Sequence, residues 1–408
     1  MYVIGQNLVN FLKSFVTVPW VIGFVEVGLI GGVGSLISFL PQVLFLFFFL
    51  SLIEDSGYLS RVAFMFEDIF SRLGLSGKSV YTLLMGFGCS TTAALTARNM
   101  EDKNAKIKTA MLSPYMSCSA KLPIYAVIGG AFFVKNNVLV IFALYFLGVI
   151  VALILSSVLE KTILKSKEQS FILEFPEYRF PSFKRIALIL FDNLKSFLTR
   201  VGTLLISINI IVWVLQSFSF KFEYIAGSQN QNSILQVLGE IIAPIFKPLG
   251  FGSWGAASAL LAGLIAKEVI VSSIAMFNGV NMSGEDIKAQ TMNSITNAGA
   301  AVFFSPASAL SFMVFCLLYS PCLATISVFK KEIGTKWTVF SILIQFSIAY
   351  IMAFLVFNFS KMFLKLDSIN VLFIILSIFA IFFALKFLFN KKHKSCKGCK
   401  NCNLCKKI

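Results

Sequence analysis

The sequence predicts an all-α, polytopic membrane protein of about 8–10 membrane segments, built from two related halves whose helices are broken. Three observations carry this: an apolar composition, long stretches without charge, and landmarks of the first half that return in order in the second. Of 408 residues, 57% are hydrophobic and 13% charged, against about 25% charged in soluble domains, and the mean hydropathy is +0.84. Charge-free stretches cover 27–53, 79–97, 136–159, 201–220, 289–329 and 337–360. Several exceed the roughly 20 apolar residues that a bilayer core demands of a helix. Strands of a barrel would alternate apolar and polar side chains over about ten residues, and no such pattern is present. The same composition excludes a soluble enzyme and a nucleic-acid binder, and no enzymatic activity is expected.

The halves are visible as echoes. Leu83-Leu84-Met85-Gly86 returns as Leu260-Leu261-Ala262-Gly263, each preceded by a Leu-Gly pair, Leu73-Gly74 and Leu249-Gly250. Ser113-Pro114 returns as Ser320-Pro321. The offset grows from about 177 to about 207 residues, which places an insertion of about 30 residues around 275–305. Three echoes in order predict a duplicated transport unit, with its site near the midplane where broken helices of the two repeats meet.

Charge orients the chain. The net charge is +16, from 35 Lys and Arg against 19 Asp and Glu. The cations cluster between apolar spans, in 98–108, 160–200, 330–336 and from 391 onward, which is the positive-inside pattern and not a nucleic-acid surface. With these segments in the cytoplasm, two spans (118–134 and 137–158) join the first to the second. Two more (337–358 and 370–389) join the third to the tail. Residues 1–30 carry no continuous apolar core at their start and are expected to form an interfacial helix rather than a signal peptide. The expected organisation is that helix, a first repeat over 31–159, a cytoplasmic basic loop over 160–200, a second repeat over 201–360, a final transmembrane helix over 361–390, and a cytoplasmic tail over 391–408.

Helix-breaking residues coincide with the echoes. Gly86, Gly88, Cys89, Ser90, Thr91 and Thr92 follow one another inside an apolar stretch, as do Ser113, Pro114, Ser117, Cys118, Ser119 and Pro123, and then Ser320, Pro321 and Cys322. Proline removes a backbone donor and clashes with the preceding turn. Irregular backbone at membrane depth survives where it is buried in protein or lines a cavity. Small residues also serve simply to pack helices, but a Cys in each of three broken segments favours a lined pathway. Ser90, Ser117 and Ser320 are its candidate lining. Lys267 and Glu268 interrupt an otherwise apolar run. At about 2.5–3.5 kcal/mol each on insertion scales, such charges belong in the bundle interior. Adjacent helix positions point about 100° apart, so the two are not expected to pair with each other. Glu54, Asp55 and Lys121 fit an interfacial position equally well.

The core cysteines are Cys89, Cys118, Cys316 and Cys322, and the single His, His393, lies in the tail. A His-rich zinc route is therefore excluded. Thiolates, hydroxyls and a carboxylate suit a borderline divalent metal such as Fe²⁺ better than Mg²⁺ or Ca²⁺, which take oxygen shells. Cys316 fits ordinary packing, since free Cys is a common buried hydrophobe.

These residues resemble a known family. Leu52-Ile53-Glu54-Asp55-Ser56-Gly57-Tyr58-Leu59, Gly74-Leu75-Ser76-Gly77-Lys78-Ser79, Gly86-Phe87-Gly88-Cys89, Met116-Ser117-Cys118-Ser119-Ala120-Lys121-Leu122-Pro123, Ala266-Lys267-Glu268-Val269 and Tyr319-Ser320-Pro321-Cys322 look like the membrane (Gate) domain of the bacterial ferrous iron transporters of the FeoB family. Phe39-Leu40-Pro41-Gln42 and Phe175-Pro176-Glu177-Tyr178-Arg179 fit as well, and the resemblance runs in order from about residue 30 to 360. It implies two Gate repeats, the bacterial cytoplasmic membrane, Fe²⁺ as cargo, Cys89, Cys118 and Cys322 as gate thiols, and Glu268 as the intramembrane acid. The pattern departs from the family in two places. The GTPase domain that usually precedes the membrane domain is not in this sequence. Gly77-Lys78-Ser79 has Arg72 where a P-loop needs its first Gly, so no GTP site is expected here and a separate G protein, or a small cytosolic accessory protein, would act in trans. In addition, Ser90-Thr91-Thr92 stands where the family has Asn-Val-Pro, which leaves Mn²⁺ or another divalent ion open.

The tail holds Cys396, Cys399, Cys402 and Cys405 among seven lysines between 391 and 407. Reduced thiols at this spacing suit Zn²⁺ or an iron–sulfur cluster, although the lysines alone would suit an anionic lipid surface. The leading function is divalent-metal transport with the bilayer and the ion as partners, nucleic acid excluded and an oligomer allowed. The alternatives are a nucleoside-type carrier with Gate repeats, and a membrane-anchored metallochaperone or redox protein acting through its tail.

Overall fold

The computed structural model describes residues 56–72, 74–100, 102–133, 136–165, 233–265, 267, 269–277 and 305–363, with scattered positions between 21 and 53 and between 184 and 218. The expected interfacial helix, basic loop and final helix, the insertion, Glu54, Asp55 and Glu268, and all four tail cysteines lie wholly or largely outside the described residues.

The first half runs through α1 (Tyr58–Arg72), α2 (Gly77–Gly88), α3 (Ser90–Thr96), α4 (Lys103–Leu112), α5 (Leu122–Phe132) and α6 (Asn137–Thr162). The second runs through α7 (Ile234–Phe246), α8 (Trp254–Ile265), α9 (Val269–Phe277), α10 (Pro306–Leu318), α11 (Leu323–Glu332) and α12 (Thr335–Phe363). Among the described residues every element of two turns or more is helical. Three segments are long and apolar enough to cross a bilayer: Asn137–Thr162, Pro306–Glu332 across its break, and Thr335–Lys361. A fourth is added if the pair Ile234–Leu249 and Trp254–Leu264, bent by 103°, counts as one span.

The sequence echoes mark matching places in the two halves. Leu83–Gly86 lies in α2 and Leu260–Gly263 in α8, and each of these helices is followed by a break and a short helix, α3 or α9. Ser113-Pro114 and Ser320-Pro321 both fall in second breaks, before α5 and α11, and each half closes on a long helix, α6 or α12. The Leu-Gly echo is also structural. Gly74 and Gly250 have φ of 71° and 87°, a left-handed turn that L residues disfavour. A β-carbon on Gly74 would overlap the Glu160 carboxylate at the end of α6, and one on Gly250 would overlap the Phe357 ring near the end of α12. Each turn is thus fitted against the long helix of its own half.

The span expected at 118–134 is shorter as a helix than the sequence suggests. Cys118 is extended, a 3-10 turn covers Ser119–Lys121, and α5 has 11 residues. At 1.5 Å per residue this is roughly 16 Å, about half the hydrocarbon core. Pro123 is tolerated in the first turn of α5 because its missing N–H has no helical partner there.

α10 lies at the centre, with Ala307 to Leu318 all buried, as expected of a helix that is apolar all round. It packs against α12 in its own half and against α5 and α6 of the other. Val138, Phe142 and Phe146 on α6, and Leu343, Ile351 and Phe359 on α12, point outward, the faces a membrane protein turns to lipid.

Candidate functional site: three thiols at helix breaks between the repeats

The two halves exchange short helices. α3 of the first packs against α11 of the second, and α9 of the second packs against α5 of the first. Since α3 corresponds to α9 and α5 to α11, the two contacts are reciprocal, as a duplicated unit meeting face to face requires.

Each core thiol outside α10 sits at the start of one of these short elements. Cys89 is extended (φ −153°, ψ 123°), ending α2 and opening α3. Its N–H donates to the Met85 carbonyl at 3.0 Å, and its own carbonyl accepts from Ala93 N–H at 3.1 Å and from the Thr92 hydroxyl at 2.7 Å. Both main-chain groups of Cys89 are therefore hydrogen-bonded, and Thr92 closes the break where the pattern of the resembled family has Pro. Cys118 (φ −72°, ψ 161°) opens the turn before α5. Cys322 (φ −63°, ψ 155°) opens α11. Pro321, next to it, has no N–H for the carbonyl of Leu317 four residues earlier, so α10 cannot continue.

The first-half breaks are packed on each other. A β-carbon on Gly86 would meet Met116 at 3.0 Å and the Ser113 carbonyl at 3.1 Å. The Ser119 hydroxyl donates to the Gly88 carbonyl at 3.0 Å. Between the halves, the hydroxyls of Thr91 and Thr325 are 2.9 Å apart. The Cys322 sulfur lies 3.2 Å from the Thr325 hydroxyl and 3.8 Å from that of Thr91. Two turns further on, Arg98 Nε donates to Glu332 Oε1 at 3.1 Å, with a second bond from Nη2, and Lys106 reaches Oε2 at 3.1 Å. The pairs 91–325 and 98–332 share one separation in sequence. Hence α3 and α11 run side by side in the same direction and in register, with Cys89 and Cys322 level at their starts. Nine residues separate Cys89 from Arg98. At 1.5 Å each they span roughly 14 Å, about half of a hydrocarbon core of about 30 Å.

Cys118 precedes Ser119, whose hydroxyl bonds the carbonyl of Gly88, the residue before Cys89. Cys118 and Cys316 are buried, Cys89 and Cys322 half-buried, and all four are free thiols. Cys316 lies inside α10 among the core residues, in keeping with packing. Ser90, Ser117 and Ser320 are all buried. Ser117 donates to the Tyr125 hydroxyl at 3.5 Å and Ser320 to the Pro321 carbonyl at 3.5 Å, both long bonds. Among the described residues, no three His, Cys, Asp or Glu side chains are grouped closely enough to hold a metal ion.

Two cations share this centre. Lys267 is buried, with Nζ 3.2 Å from the centroid of the Tyr319 ring and, among the described residues, no hydrogen-bond acceptor. Lys121 is interior and not interfacial. It is 2% exposed, and its Nζ donates to three main-chain carbonyls, those of Pro114 at 2.9 Å, Met116 at 3.3 Å and Leu317 at 2.8 Å. Sequence reasoning missed Thr325 as well, although its place three residues after Cys322 puts it one turn along the same helix face. The Gly77-Lys78-Ser79 run opens α2 after a helix and a left-handed turn, not after a strand, and Gly77 N–H donates to the Glu67 carboxylate.

The Gate family, described as nucleoside recognition, matches this chain twice, over residues 36–132 and 198–336. This chain is a Gate-family membrane domain. The C-terminal family of ferrous iron transport protein B matches residues 141–192, between the two Gate matches. The Fe(2+) transporter FeoB of Staphylococcus aureus (strain MSSA476) is 38% identical over 359 residues, which is 88% of this chain and 52% of that protein. The Fe(2+) transporter FeoB of Methanocaldococcus jannaschii is 38% identical over 350 residues, 85% of this chain and 51% of that protein. A fusion of Fe(2+) transport protein A with Fe(2+) transporter FeoB from Porphyromonas gingivalis is 35% identical over 372 residues, covering 82% and 44% of the two chains. The Gate domain described here is thus of the FeoB type, and it spans about half the length of the curated relatives it matches. No solved structure matches it.

Proposed function

We propose that this Gate domain carries ferrous iron, or a closely related divalent metal, across the bacterial cytoplasmic membrane. The ion passes between the two repeats, where Cys89, Cys118 and Cys322 serve as ligands, Glu268 adds a carboxylate, and Ser90, Ser117 and Ser320 line the way. The observation that supports this most is the occurrence of a thiol at three of the helix breaks along the reciprocal contact of the halves. The FeoB-type relatives, named as Fe(2+) transporters, fit the same reading. A transported ion must be released as readily as it is bound, so an open, incomplete set of soft ligands suits transport better than a closed tetrahedron. A nucleoside carrier would instead need amides at the midplane. Gln345, one of the few candidates, gives its N–H to Ser341 within α12 at 2.9 Å.

The P. gingivalis fusion points to protein A as the kind of small accessory partner involved. The tail faces the cytoplasm, and Cys396, Cys399, Cys402 and Cys405 bind Zn²⁺ or an iron–sulfur cluster there without forming part of the path.

The test is uptake into proteoliposomes under reducing, anaerobic conditions, with Fe²⁺ compared to Mn²⁺, Zn²⁺ and Co²⁺. Replacing Cys89, Cys118 or Cys322 by Ser exchanges a soft ligand for a hard one at nearly constant volume. Each is expected to slow Fe²⁺ uptake about tenfold or more, a change of ~1.4 kcal/mol in the barrier, while Cys316→Ser leaves it unchanged. A triple Ser variant that transports Fe²⁺ at the parental rate would overturn the proposal.

A further inference from the structure

Lys121 has a geometry that neither the thiols nor the relatives explain. Its three acceptors are carbonyls left over by the breaks. The Leu317 carbonyl has lost its helical donor because Pro321 has no N–H, and those of Pro114 and Met116 flank the bend between α4 and α5. Two come from the first half and one from the second. A neutral amine has two N–H donors and a lone pair that would face the third oxygen. Three carbonyls are satisfied only by the ammonium form. In membrane transporters, unwound backbone carbonyls at helix ends are the usual seat of a coupling cation.

From this we infer that the Pro114–Met116–Leu317 carbonyls form a monovalent-cation site joining the two repeats, and that Lys121 occupies it permanently as a tethered ammonium ion. The site is sized for ammonium. Its oxygens lie 2.8–3.3 Å from the nitrogen, wider than the about 2.3–2.6 Å at which Ca²⁺ is held. A charge fixed at the joint makes a free coupling cation unnecessary there and denies these three oxygens to other ions. The inference holds whichever ion the domain transports, so it stands or falls separately from the iron reading.

The experiment removes the tether and offers the cation back. The purified full chain and Lys121→Ala are unfolded thermally in detergent with choline, potassium, ammonium or methylammonium chloride at one ionic strength. The parental chain is expected to be indifferent to the cation. Lys121→Ala should melt roughly 5 °C or more lower in choline. Ammonium or methylammonium should restore at least half of that loss, with saturation. Lys121→Gln, whose amide donates without charge and fills the site, should be destabilised and remain unresponsive. A Lys121→Ala protein that no cation stabilises, or that cannot be recovered even when solubilised in ammonium, overturns the inference. So does a parental chain with the same cation response, or a Lys121→Gln protein as stable as the parent, because hydrogen bonding alone would then suffice.

Discussion

Glu332 ties the two halves together at the far end of the α3–α11 seam, where Arg98 and Lys106 of the first half meet its carboxylate. Its side chain is 6% exposed, against 52% for Arg98 and 20% for Lys106. The hydrogen bond from Arg98, followed by that from Lys106, holds its carboxyl below the usual carboxylate range, and Glu332 in turn raises Arg98. A carboxyl with a lower pKa in the folded state stabilises the fold above its unfolded value. That contribution is lost as pH falls through the folded value. Glu332→Gln is therefore expected to lower the unfolding midpoint at pH 7, by on the order of 0.5–1 kcal/mol once solvent screening of the exposed Arg98 is allowed for. The difference should shrink in acid and vanish below the depressed pKa, and it should also shrink in high salt. Thermal unfolding across pH measures this, and a deficit that persists unchanged in acid would assign Glu332 to packing instead. None of this was visible in the sequence, where Arg98 and Glu332 belong to two basic segments more than 200 residues apart. Lys121 was hidden for a related reason. A lysine among Cys, Ser and Pro fits an interfacial or an interior position equally well until its three acceptors, two of them flanking a bend, are seen in space.

At the scale of elements the sequence was far more informative, because breaks and turns are written in residue types. Proline and glycine located both breaks of the first half and the Pro321 break of the second. The Leu-Gly echo located the two left-handed turns. What periodicity could not give was the length of α5: an apolar run of helix and 3-10 turn has the composition of a full span but about half its helical rise. The turns permit a sharp test. Gly250→Ala adds a left-handed alanine, at about 1–2 kcal/mol, and drives its methyl into the Phe357 ring. Trimming that ring should relieve the second cost and not the first. Gly250→Ala combined with Phe357→Leu is thus expected to be less destabilised than the sum of the singles, by about 0.5 kcal/mol or more. The comparison requires four melting curves on the same preparation. Strict additivity would mean that the turn and α12 are not fitted to each other.

For the whole molecule, the duplication was legible from three echoes, and the Gate family matches both halves. The way the halves exchange α3 and α9 was not legible, because contacts between repeats leave no periodic trace in either one. That exchange has a mechanical consequence. If the ion moves because one repeat shifts against the other, the α3–α11 seam must slide or open, since it runs from the level of Cys89 and Cys322 to the Glu332 cluster. The seam can be locked with a single substitution. Thr91 places its hydroxyl 3.8 Å from the Cys322 sulfur, so Thr91→Cys brings a second thiol to a native one across the repeats. Mild oxidation should form the 91–322 disulfide in high yield, with no such bond in the parental chain. Fe²⁺ uptake should then fall to background and return on reduction. Because the bond consumes Cys322, which is itself a proposed ligand, loss of uptake alone would not separate locking from ligand removal. The control is Cys322→Ser, which removes the ligand without the lock. The locked protein is expected to be less active than that variant and, unlike it, to show slowed backbone hydrogen exchange along α3 and α11. A fully cross-linked protein with the uptake and exchange of Cys322→Ser would show that the seam stays still during transport and that the path opens elsewhere.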